Sequence, residues 1–261
     1  MRISILSALA IALPISAFAD TLLVNTGNVD GRMAMASRPD SAGKIEIEAA
    51  DDFVLGSSSL VNSGTFTGLL PSSYSVSSVT VEIYRVFPLD SNNPPSGNVL
   101  TRVNSPSDVA FDSRSSGSGL NSTSWPVTAP SPPVEGAVTG QEVEFSFTLT
   151  TPFSLPADHY FFVPQVELSN GNFYWLSSVR PIVAPGTPFA PDLQAWMRNE
   201  NLDPDWSRVG TDIVGGATPP TFNAAFSLNG AATPEPASIA LFGTGILALA
   251  GLLRKKRQAR S

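Results

Sequence analysis

Cysteine is absent from this chain, and histidine and basic residues are scarce. The 261 residues include no cysteine and one histidine, His159, with 15 lysine and arginine residues against 22 acidic ones. Without cysteine there can be no disulfide framework, no thiolate metal site and no cysteine nucleophile. One histidine excludes multi-histidine zinc sites and leaves a single imidazole for a catalytic triad. The composition therefore argues against the common metal-dependent and cysteine-dependent enzyme classes.

Basic residues are concentrated at the C-terminus, so the rest of the chain is acidic. Without Arg2, Glu235 and the five basic residues of the tail, 21 acidic residues stand against 9 basic ones, a net charge of −12. Such a surface does not attract nucleic acid or anionic polysaccharide through a general positive field. It favours solubility and attracts divalent cations. We expect no nucleic-acid partner.

The N-terminus carries a targeting signal. Arg2 precedes an apolar segment from Ile3 to Ala17, and Ala17-Phe18-Ala19 is a small-x-small cleavage site before Asp20. This pattern predicts a secretory signal peptide over residues 1–19. The exported body is then expected to comprise residues 20–232.

The C-terminal segment, residues 233–261, has three parts. Pro234-Glu235-Pro236 comes first, an uncharged apolar run from Ala237 to Leu253 follows, and a basic cluster from Arg254 to Arg257 comes next. The run of 17 residues is at the lower limit for a helix that spans a bilayer core of roughly 30 Å. By the positive-inside rule the basic cluster stays cytoplasmic and the body lies outside the cytoplasm. A permanent C-terminal anchor is the alternative interpretation.

This arrangement resembles the PEP-CTERM sorting signal of Gram-negative bacteria that produce exopolysaccharide. The likeness includes Leu241-Phe242-Gly243 near the start of the apolar run and Leu249-Ala250-Gly251 near its end. It implies export, a transient inner-membrane anchor, and processing near Pro234-Glu235-Pro236 by an exosortase, a membrane-embedded enzyme with a cysteine nucleophile. Body segments such as Asp51-Asp52-Phe53-Val54-Leu55 also resemble a β-rich secreted body that PEP-CTERM proteins carry. That second resemblance transfers no catalytic residue.

Short alternating runs between Gly-, Pro- and Ser-rich stretches dominate the body. The clearest is 142–149, in which Val143, Phe145, Phe147 and Leu149 alternate with polar residues; weaker runs occur at 44–48, 79–84 and 221–228. Period-two alternation predicts antiparallel strands with one buried face. Residues 160–168 are more continuously apolar and predict an interior strand, and Asn170-Gly171 predicts a hairpin turn. The body is therefore predicted to be one all-β domain, an antiparallel β-sandwich of jelly-roll type.

One short helix and two long loops are also expected. Pro191 is followed by Leu193, Trp196 and Met197 at helical spacing, which predicts an amphipathic turn or two. The predicted loops run from Leu89 to Pro106 and from Ser113 to Gly140, the second being rich in Ser, Pro and Gly. Loops of this length in a compact domain are either functional or mobile.

Trp125, within the second predicted loop, is the candidate ligand contact. An exposed aromatic face can stack on a sugar ring, whereas the alternative is an anchor that tucks against the body. Calcium is the candidate cofactor, since Asp51, Asp52, Asp203 and Asp205 offer hard oxygen ligands. Their spacing does not match a dedicated calcium loop, and Asp203-Pro204-Asp205 is also typical of a capped turn.

Enzymatic signals are weak. His159 is interpreted as a hydrogen-bonded structural residue, and no Gly-x-Ser-x-Gly motif is present. Glu142 and Glu144 fall on one face of a strand, which is interpreted as a solvated face rather than a glycosidase pair. We predict an exported, non-catalytic surface or matrix protein, structural or adhesive in exopolysaccharide and biofilm. A calcium-assisted carbohydrate-binding module is the alternative, and an unrecognised hydrolase comes third.

Overall fold

The computed structural model describes residues 20–41, 43–86, 105–126, 140–180, 193–199, 201 and 203–233, with Gly243, Gly245, Ile246 and Gln258. The predicted signal peptide and the sorting tripeptide lie outside these residues, as do most of the predicted membrane helix and of the first predicted loop. Within the described part, no helix is both long enough and apolar enough to cross a membrane.

The described body consists almost entirely of strands, which confirms the predicted all-β class. Its thirteen strands are β1 (Thr21–Asn25), β2 (Val29–Ala36), β3 (Ile47–Leu55), β4 (Ser59–Leu70), β5 (Val76–Arg85), β6 (Asp112–Ser116), β7 (Gly119–Pro126), β8 (Gln141–Leu155), β9 (Asp158–Leu168), β10 (Tyr174–Ser178), β11 (Trp196–Asn199), β12 (Asp203–Arg208) and β13 (Phe226–Ala232). A single π-helical turn, Val209–Val214, follows β12.

These strands form one hydrogen-bonded sheet. Its order is β1-β13-β4-β8-β7-β6-β5-β9-β3-β11-β12, while β10 pairs with β2 and β4. Between the described strands every pairing is antiparallel except that of β6 with β7. The predicted antiparallel pairing is therefore confirmed, and the hydrogen bonding runs continuously through all the strands.

The sheet curls so that its two halves face each other. In the strand order, β13, β4 and β8 lie on one side of β7 and β6, and β5, β9 and β3 lie on the other. Ring contacts nonetheless connect the halves: Phe162 of β9 lies 5.9 Å from Phe147 of β8 and 5.1 Å from Phe226 of β13, between centroids. These facing sides enclose the main hydrophobic core. β6 and β7 form the corner at which the sheet folds over.

The strands with the clearest sequence patterns behave as predicted. Val143, Phe145, Phe147 and Leu149 of β8 are buried in the main core. β9 is an interior strand with both faces covered, because Tyr160 and Phe162 enter the main core while Phe161 and Val163 enter a second cluster. The continuous apolar character of this strand follows from burial on two sides.

The second cluster lies on the opposite face of β3, β5 and β9. It comprises Ala50, Tyr84, Phe161, Val163, Leu193, Trp196 and Trp206. Alternation predicted that Tyr84 would face water; this is wrong, since the β11–β12 hairpin covers that face and Trp206 packs edge-on against Tyr84 at 5.6 Å. The hairpin that covers Tyr84 begins at Trp196, about 110 positions later in the chain, so the local alternation of apolar and polar residues cannot indicate it.

The predicted helix after Pro191 is wrong over its described residues. Leu193 to Ala195 are extended and Trp196 begins strand β11, which pairs with β3 and β12. The Ala195 N–H donates to the Phe222 carbonyl at 2.7 Å, a partner distant in sequence. The helix-like spacing of apolar residues arises because Leu193 and Trp196 enter the second cluster, while Ala195 and the partly buried Met197 pack against the main core.

Two loop predictions also need correction. Asn170-Gly171 forms a turn, with φ of 73° at Gly171, but β9 and β10 do not pair as a hairpin because β10 crosses to β4 and β2. The predicted loop from Ser113 to Gly140 instead contains most of β6 and all of β7. Residues 127–139 of that stretch lie outside the described part.

Candidate functional site

Trp125 lies near the end of strand β7. Its backbone pairs with Glu144 of β8, and its side chain is 63% exposed. β6 pairs with β7 only at Gly119 and Leu120, so the described structure shows no strand beside Asn121–Pro126 on that side. Trp125 therefore presents its ring on an open part of the corner, and its role as a ligand contact stays a prediction.

A slot opens beside Trp125, between β5 and β7, where β6 ends. Its volume is about 190 Å³, and its lining is Val76, Ser77, Ser78, Ser116, Ser122, Thr123, Ser124 and Phe145. The Ser116 hydroxyl contacts the backbone of Val79, with its oxygen 3.0 Å from the N–H and 3.3 Å from the carbonyl. The Ser78 hydroxyl donates to Glu167 Oε2 at 3.0 Å, and the remaining hydroxyls of the lining belong to Ser77 of β5 and to Ser122, Thr123 and Ser124 of β7. The lining of the slot thus consists mainly of residues whose hydroxyl groups can form hydrogen bonds, together with Val76 and the aromatic residue Phe145.

Trp125 lies next to the slot along β7, but its side chain and those of Ser122 and Ser124 project to opposite faces of the strand. Thr123, which lines the slot, and Trp125 are two residues apart on β7, so their side chains project from the same face at a spacing of roughly 7 Å. Asn121 continues this face and is exposed. We call Thr123, Trp125 and the slot-lining hydroxyls of β5 and β7 the corner surface. A polar polymer that contacted both the indole and the slot would pass over the edge of β7 at residues 121–126, beside which no described strand lies.

A buried ionisable network occupies the opposite face of β5, under the β11–β12 hairpin. The Tyr84 hydroxyl lies 2.5 Å from Glu48 Oε1 and 3.0 Å from Glu82 Oε2. Arg198 of β11 donates from Nε to Glu48 and from Nη2 to Tyr84, the latter at 3.2 Å. The guanidinium also lies 4.6 Å from the ring centre of Trp206. Glu48 is only 3% exposed, and Arg198 is the cationic partner of its carboxylate.

Burial shifts the proton affinities in this network. Burial raises the pKa of Glu82 to about 7, and the negative charge of Glu48 adds to the effect. Burial likewise raises the pKa of Tyr84, with further contributions from Glu48 and Glu82. Although burial alone would lower it, the pKa of Arg198 is raised because Glu48 pairs with the guanidinium. Near neutral pH, Glu82 is the group of this network poised to change its charge.

His159 is hydrogen-bonded, as the sequence interpretation expected, and its partner is Asp52. His159 Nε2 contacts Asp52 Oδ2, while the Leu193 N–H donates to Asp52 Oδ1 at 2.8 Å. Burial raises the pKa of Asp52, an effect that His159 and the Leu193 N–H oppose. Asp51 accepts from the Ala224 N–H at 2.7 Å. These contacts tie β3 to the segments that precede β11 and β13.

The four calcium candidates are not gathered in one place. Asp51 and Asp52 are consecutive on β3 and so project to opposite faces. Asp205 lies on β12, where it accepts a hydrogen bond from the Trp206 N–H at 3.0 Å, and Asp203 pairs with Asn199 across the hairpin. Among the described residues, no group of three acidic or histidine side chains is placed to hold a metal ion. Calcium binding stays a prediction.

The two glutamates at the start of β8 differ in their surroundings. Glu144 is exposed, as predicted for a solvated strand face. Glu142 is only 8% exposed, so the same prediction is wrong for it. Its cross-strand neighbour Leu69 is buried as well, which means that this end of the β4–β8 face is covered.

The body ends where the sorting segment begins. Strand β13 lies between β1 and β4, and Thr233 still donates from its backbone N–H to the Ser58 carbonyl at 2.7 Å. The first described residue, Asp20, is at the same end: Thr21 pairs with Gly230, and Asn62 donates to the Asp20 carboxylate at 2.5 Å. Both predicted processing points therefore adjoin one end of the body.

The corner surface lies towards the other end. Ser59, at the start of β4, pairs with Ala232, whereas Leu70, at its end, pairs with Gln141. Trp125 pairs only three residues further along β8 from Gln141. The corner surface is thus remote from the residues that lead into the sorting segment.

Comparison with known proteins identifies the sorting segment and nothing in the body. Residues 232–257 match the family model of the PEP-CTERM protein-sorting motif. The chain therefore carries a PEP-CTERM protein-sorting motif at residues 232–257. No curated protein and no solved structure matches it.

The PEP-CTERM motif implies an exported protein that transits the membrane and is processed by an exosortase. The match begins at Ala232, the last residue of β13, and includes the predicted Pro234-Glu235-Pro236. In this chain the sorting motif therefore follows the folded body without an intervening linker.

Proposed function

We propose that this protein is a non-catalytic component of the extracellular matrix, where its body has a structural or adhesive role in contact with exopolysaccharide. The observation that carries this proposal is the exposed indole of Trp125 beside a slot lined by hydroxyls. Aromatic faces stack on the apolar faces of sugar rings, and hydroxyl groups exchange hydrogen bonds with those of a sugar. The corner surface offers both kinds of contact.

The negative charge of the body disfavours acidic polysaccharides as ligands. With a net charge of −12 over residues 20–232, the body repels polyanions at long range. The lining of the slot is uncharged. We therefore propose a neutral polysaccharide as the ligand. The position of the corner surface, remote from Thr233, leaves it accessible while the other end of the body adjoins the membrane enzyme that processes the tail.

The first prediction concerns processing. In cells with an exosortase, we expect the mature chain to begin at Asp20 and to end close to Pro234, without the apolar run and basic cluster. A proline-flanked tripeptide favours extended backbone, which suits entry into an active site as a strand. Intact-mass analysis of envelope and extracellular material measures both ends.

A matched control keeps the tail but removes its motif. Changing Pro234 and Pro236 to alanine restores backbone freedom without altering charge, and the full-length chain should then accumulate in the membrane. Recovery of a wild-type chain that still carries Arg254 to Ser261 in the matrix would contradict processing.

The second prediction concerns Trp125. Trp125→Ala should weaken binding to neutral exopolysaccharide several-fold, up to about tenfold, since stacking of one ring contributes on the order of 0.5–1.5 kcal/mol. The unfolding midpoint of residues 20–233 should barely change, because an exposed side chain contributes less than about 0.5 kcal/mol. Co-sedimentation with the polysaccharide and urea denaturation measure the two effects.

The control is Ile213→Ala, which removes another exposed apolar side chain, 52% exposed, from the π-helical turn. It should leave binding unchanged. If Trp125→Ala instead lowers the free energy of unfolding by more than about 2 kcal/mol, the indole is a packing anchor and the proposal loses its main contact.

The alternative function is a calcium-assisted carbohydrate-binding module. The same co-sedimentation assay, run with calcium and with a chelator, separates the two possibilities. Binding that requires calcium favours the module, with carboxylates as ligands. Binding that is indifferent to calcium favours the corner surface alone, and a polysaccharide that becomes shorter during incubation would indicate a hydrolase.

A further inference from the structure

The hydrogen bonds of the network under the β11–β12 hairpin require one proton more than its side chains carry when both glutamates are ionised. The Tyr84 hydroxyl has a single hydrogen but lies within hydrogen-bond distance of two carboxylates, Glu48 and Glu82. Arg198 cannot resolve this, because its Nη2 donates to the same hydroxyl. If both carboxylates were ionised, one of them would face the Tyr84 oxygen with no hydrogen between the two acceptors.

Geometry assigns the additional proton to Glu82. Glu48 accepts from Arg198 Nε and from the Tyr84 hydroxyl, so its ionised form is satisfied by two donors. Glu82 has the longer contact with Tyr84, 3.0 Å, and a protonated Glu82 donates along it to the hydroxyl oxygen. Glu82 then donates to the Tyr84 hydroxyl, which donates to Glu48. Arg198 of the hairpin donates to both Tyr84 and Glu48.

We propose that the proton on Glu82 makes the packing of the β11–β12 hairpin on the sheet dependent on pH, with the hairpin docked in acid and loosened in alkali. Arg198 is the link, since its guanidinium joins β11 to both Glu48 and Tyr84 and lies against Trp206. Loss of the Glu82 proton places a second negative charge beside this group. The guanidinium and the Tyr84 hydroxyl must then be divided between two carboxylates instead of one.

The charges around Glu82 come from several elements. Glu48 of β3 and the preceding Glu46 are negative, and Arg198 of β11 is positive. On the neighbouring β6, Asp112 and Arg114 are paired with each other. Burial and the negative charge of Asp205 raise the pKa of Asp108, and the positive charge of Arg198 opposes this effect. Acidic groups outnumber basic ones here, so one further negative charge is unfavourable.

The pH window follows from the sign of the shift. The pKa of Glu82 is about 7 in the folded protein against 4.5 for an ordinary glutamate. The folded form therefore keeps the proton over a range in which the loosened form releases it. Docking is strongest in acid, weakens as the pH rises from about 4.5, and has lost this contribution above about 7. An exported protein meets such changes in its surroundings.

Hydrogen exchange of the full-length protein in detergent, read by mass spectrometry at pH 5 and pH 8, tests this inference. After correction for intrinsic exchange, protection of residues 196–208 should fall about tenfold or more between these conditions, since each unit of pKa difference corresponds to a factor of ten. Protection of β8 residues 143–149 should fall less. In Glu82→Gln, whose amide stays neutral and can donate to Tyr84, protection of 196–208 should change less than about twofold.

Glu144→Gln is the matched control, because Glu144 is an exposed glutamate on β8 and its variant should behave as the wild type. The inference is overturned if wild type and Glu82→Gln show the same pH response, or if residues 196–208 of the wild type show none. A carboxyl ¹³C titration of the wild-type chain provides a check that needs no variant. Titration of Glu82 near its ordinary value of 4.5 would overturn the inference.

Discussion

Phe162→Ala is expected to lower the free energy of unfolding of residues 20–233 by about 3–5 kcal/mol. Phe162 is completely buried and bridges the two halves of the curled sheet, with its ring 5.9 Å from Phe147, 5.1 Å from Phe226 and 5.9 Å from Trp175. Alanine would leave a cavity between two hydrogen-bonded layers that cannot easily collapse. Urea denaturation followed by circular dichroism measures the loss.

Phe111→Ala is the matched control, since it removes the same atoms from a ring that is 40% exposed. It should cost about 1 kcal/mol or less, mainly through lost contact with Arg85, which lies 4.5 Å from the ring centre. Equal costs for the two variants, or two separate unfolding transitions, would contradict a single core shared by both halves.

Arg198→Met is expected to cost a further large amount, about 3–5 kcal/mol, because it leaves the buried Glu48 carboxylate without its cationic partner. Methionine keeps the unbranched apolar stem but removes the whole guanidinium, and with it the contacts of that group with Glu48, Tyr84 and Trp206. The loss should be greatest above neutral pH, where Glu82 is also ionised. Urea denaturation at pH 5 and pH 8 measures both the size and the pH dependence.

A second variant distinguishes charge from packing. Glu48→Gln combined with Arg198→Met removes both charges and should recover a substantial part of the loss, as expected when a buried pair is replaced together. Arg208→Met is the control for an exposed pair: Arg208 and Asp212 lie 2.8 Å apart, and their interaction should contribute less than about 1 kcal/mol. A loss in Arg198→Met as small as in Arg208→Met would contradict the network.

The strands that could be predicted from sequence are those whose two faces meet different surroundings. β8 has a buried face of Val143, Phe145 and Phe147 and a face that is largely solvated, so its alternation is plain. β9 is covered on both sides, and its length of 11 residues with continuous apolar character still distinguished it. Curling of the sheet could not be predicted, because it depends on contacts such as Phe162 with Phe226, far apart in the chain.

The wrong predictions for β11 and β7 also have physical reasons. β11 was predicted to be helical because Leu193, Trp196 and Met197 are close together, yet this spacing also fits a strand covered on both faces. β7 was assigned to a loop because Ser122 and Ser124 occupy core-facing positions beside Phe147 and Phe145. Hydroxyl side chains fit there because the slot keeps those positions partly open. β7 lacks apolar alternation because Ser122 and Ser124, which line the slot, occupy positions that would otherwise hold apolar side chains.

The network of Glu48, Tyr84, Glu82 and Arg198 was missed entirely. Arg198 lies 150 positions from Glu48 in the sequence, so only the fold brings them together. Glu48 and Glu82 each alternate with apolar residues, which is typical of a solvated strand face. Because the β11–β12 hairpin covers the strand face that carries Glu48 and Glu82, these glutamates are largely removed from solvent and form a buried ionisable site. The sorting motif was predicted in full because it is a local sequence of fixed order that needs no tertiary contact.

The proposed contact between the corner surface and exopolysaccharide is tested most directly by mapping where the polysaccharide binds the body. Isotope-labelled residues 20–233 would be titrated with neutral oligosaccharides from the producing bacterium's matrix, and backbone amide and indole resonances would be followed. The shifts are expected to concentrate at Trp125, Ser122–Ser124 and Ser77–Ser78, while Asp20 and Thr233 at the other end stay unchanged. Shifts centred away from the corner surface, or none at saturating sugar, would contradict the proposed contact.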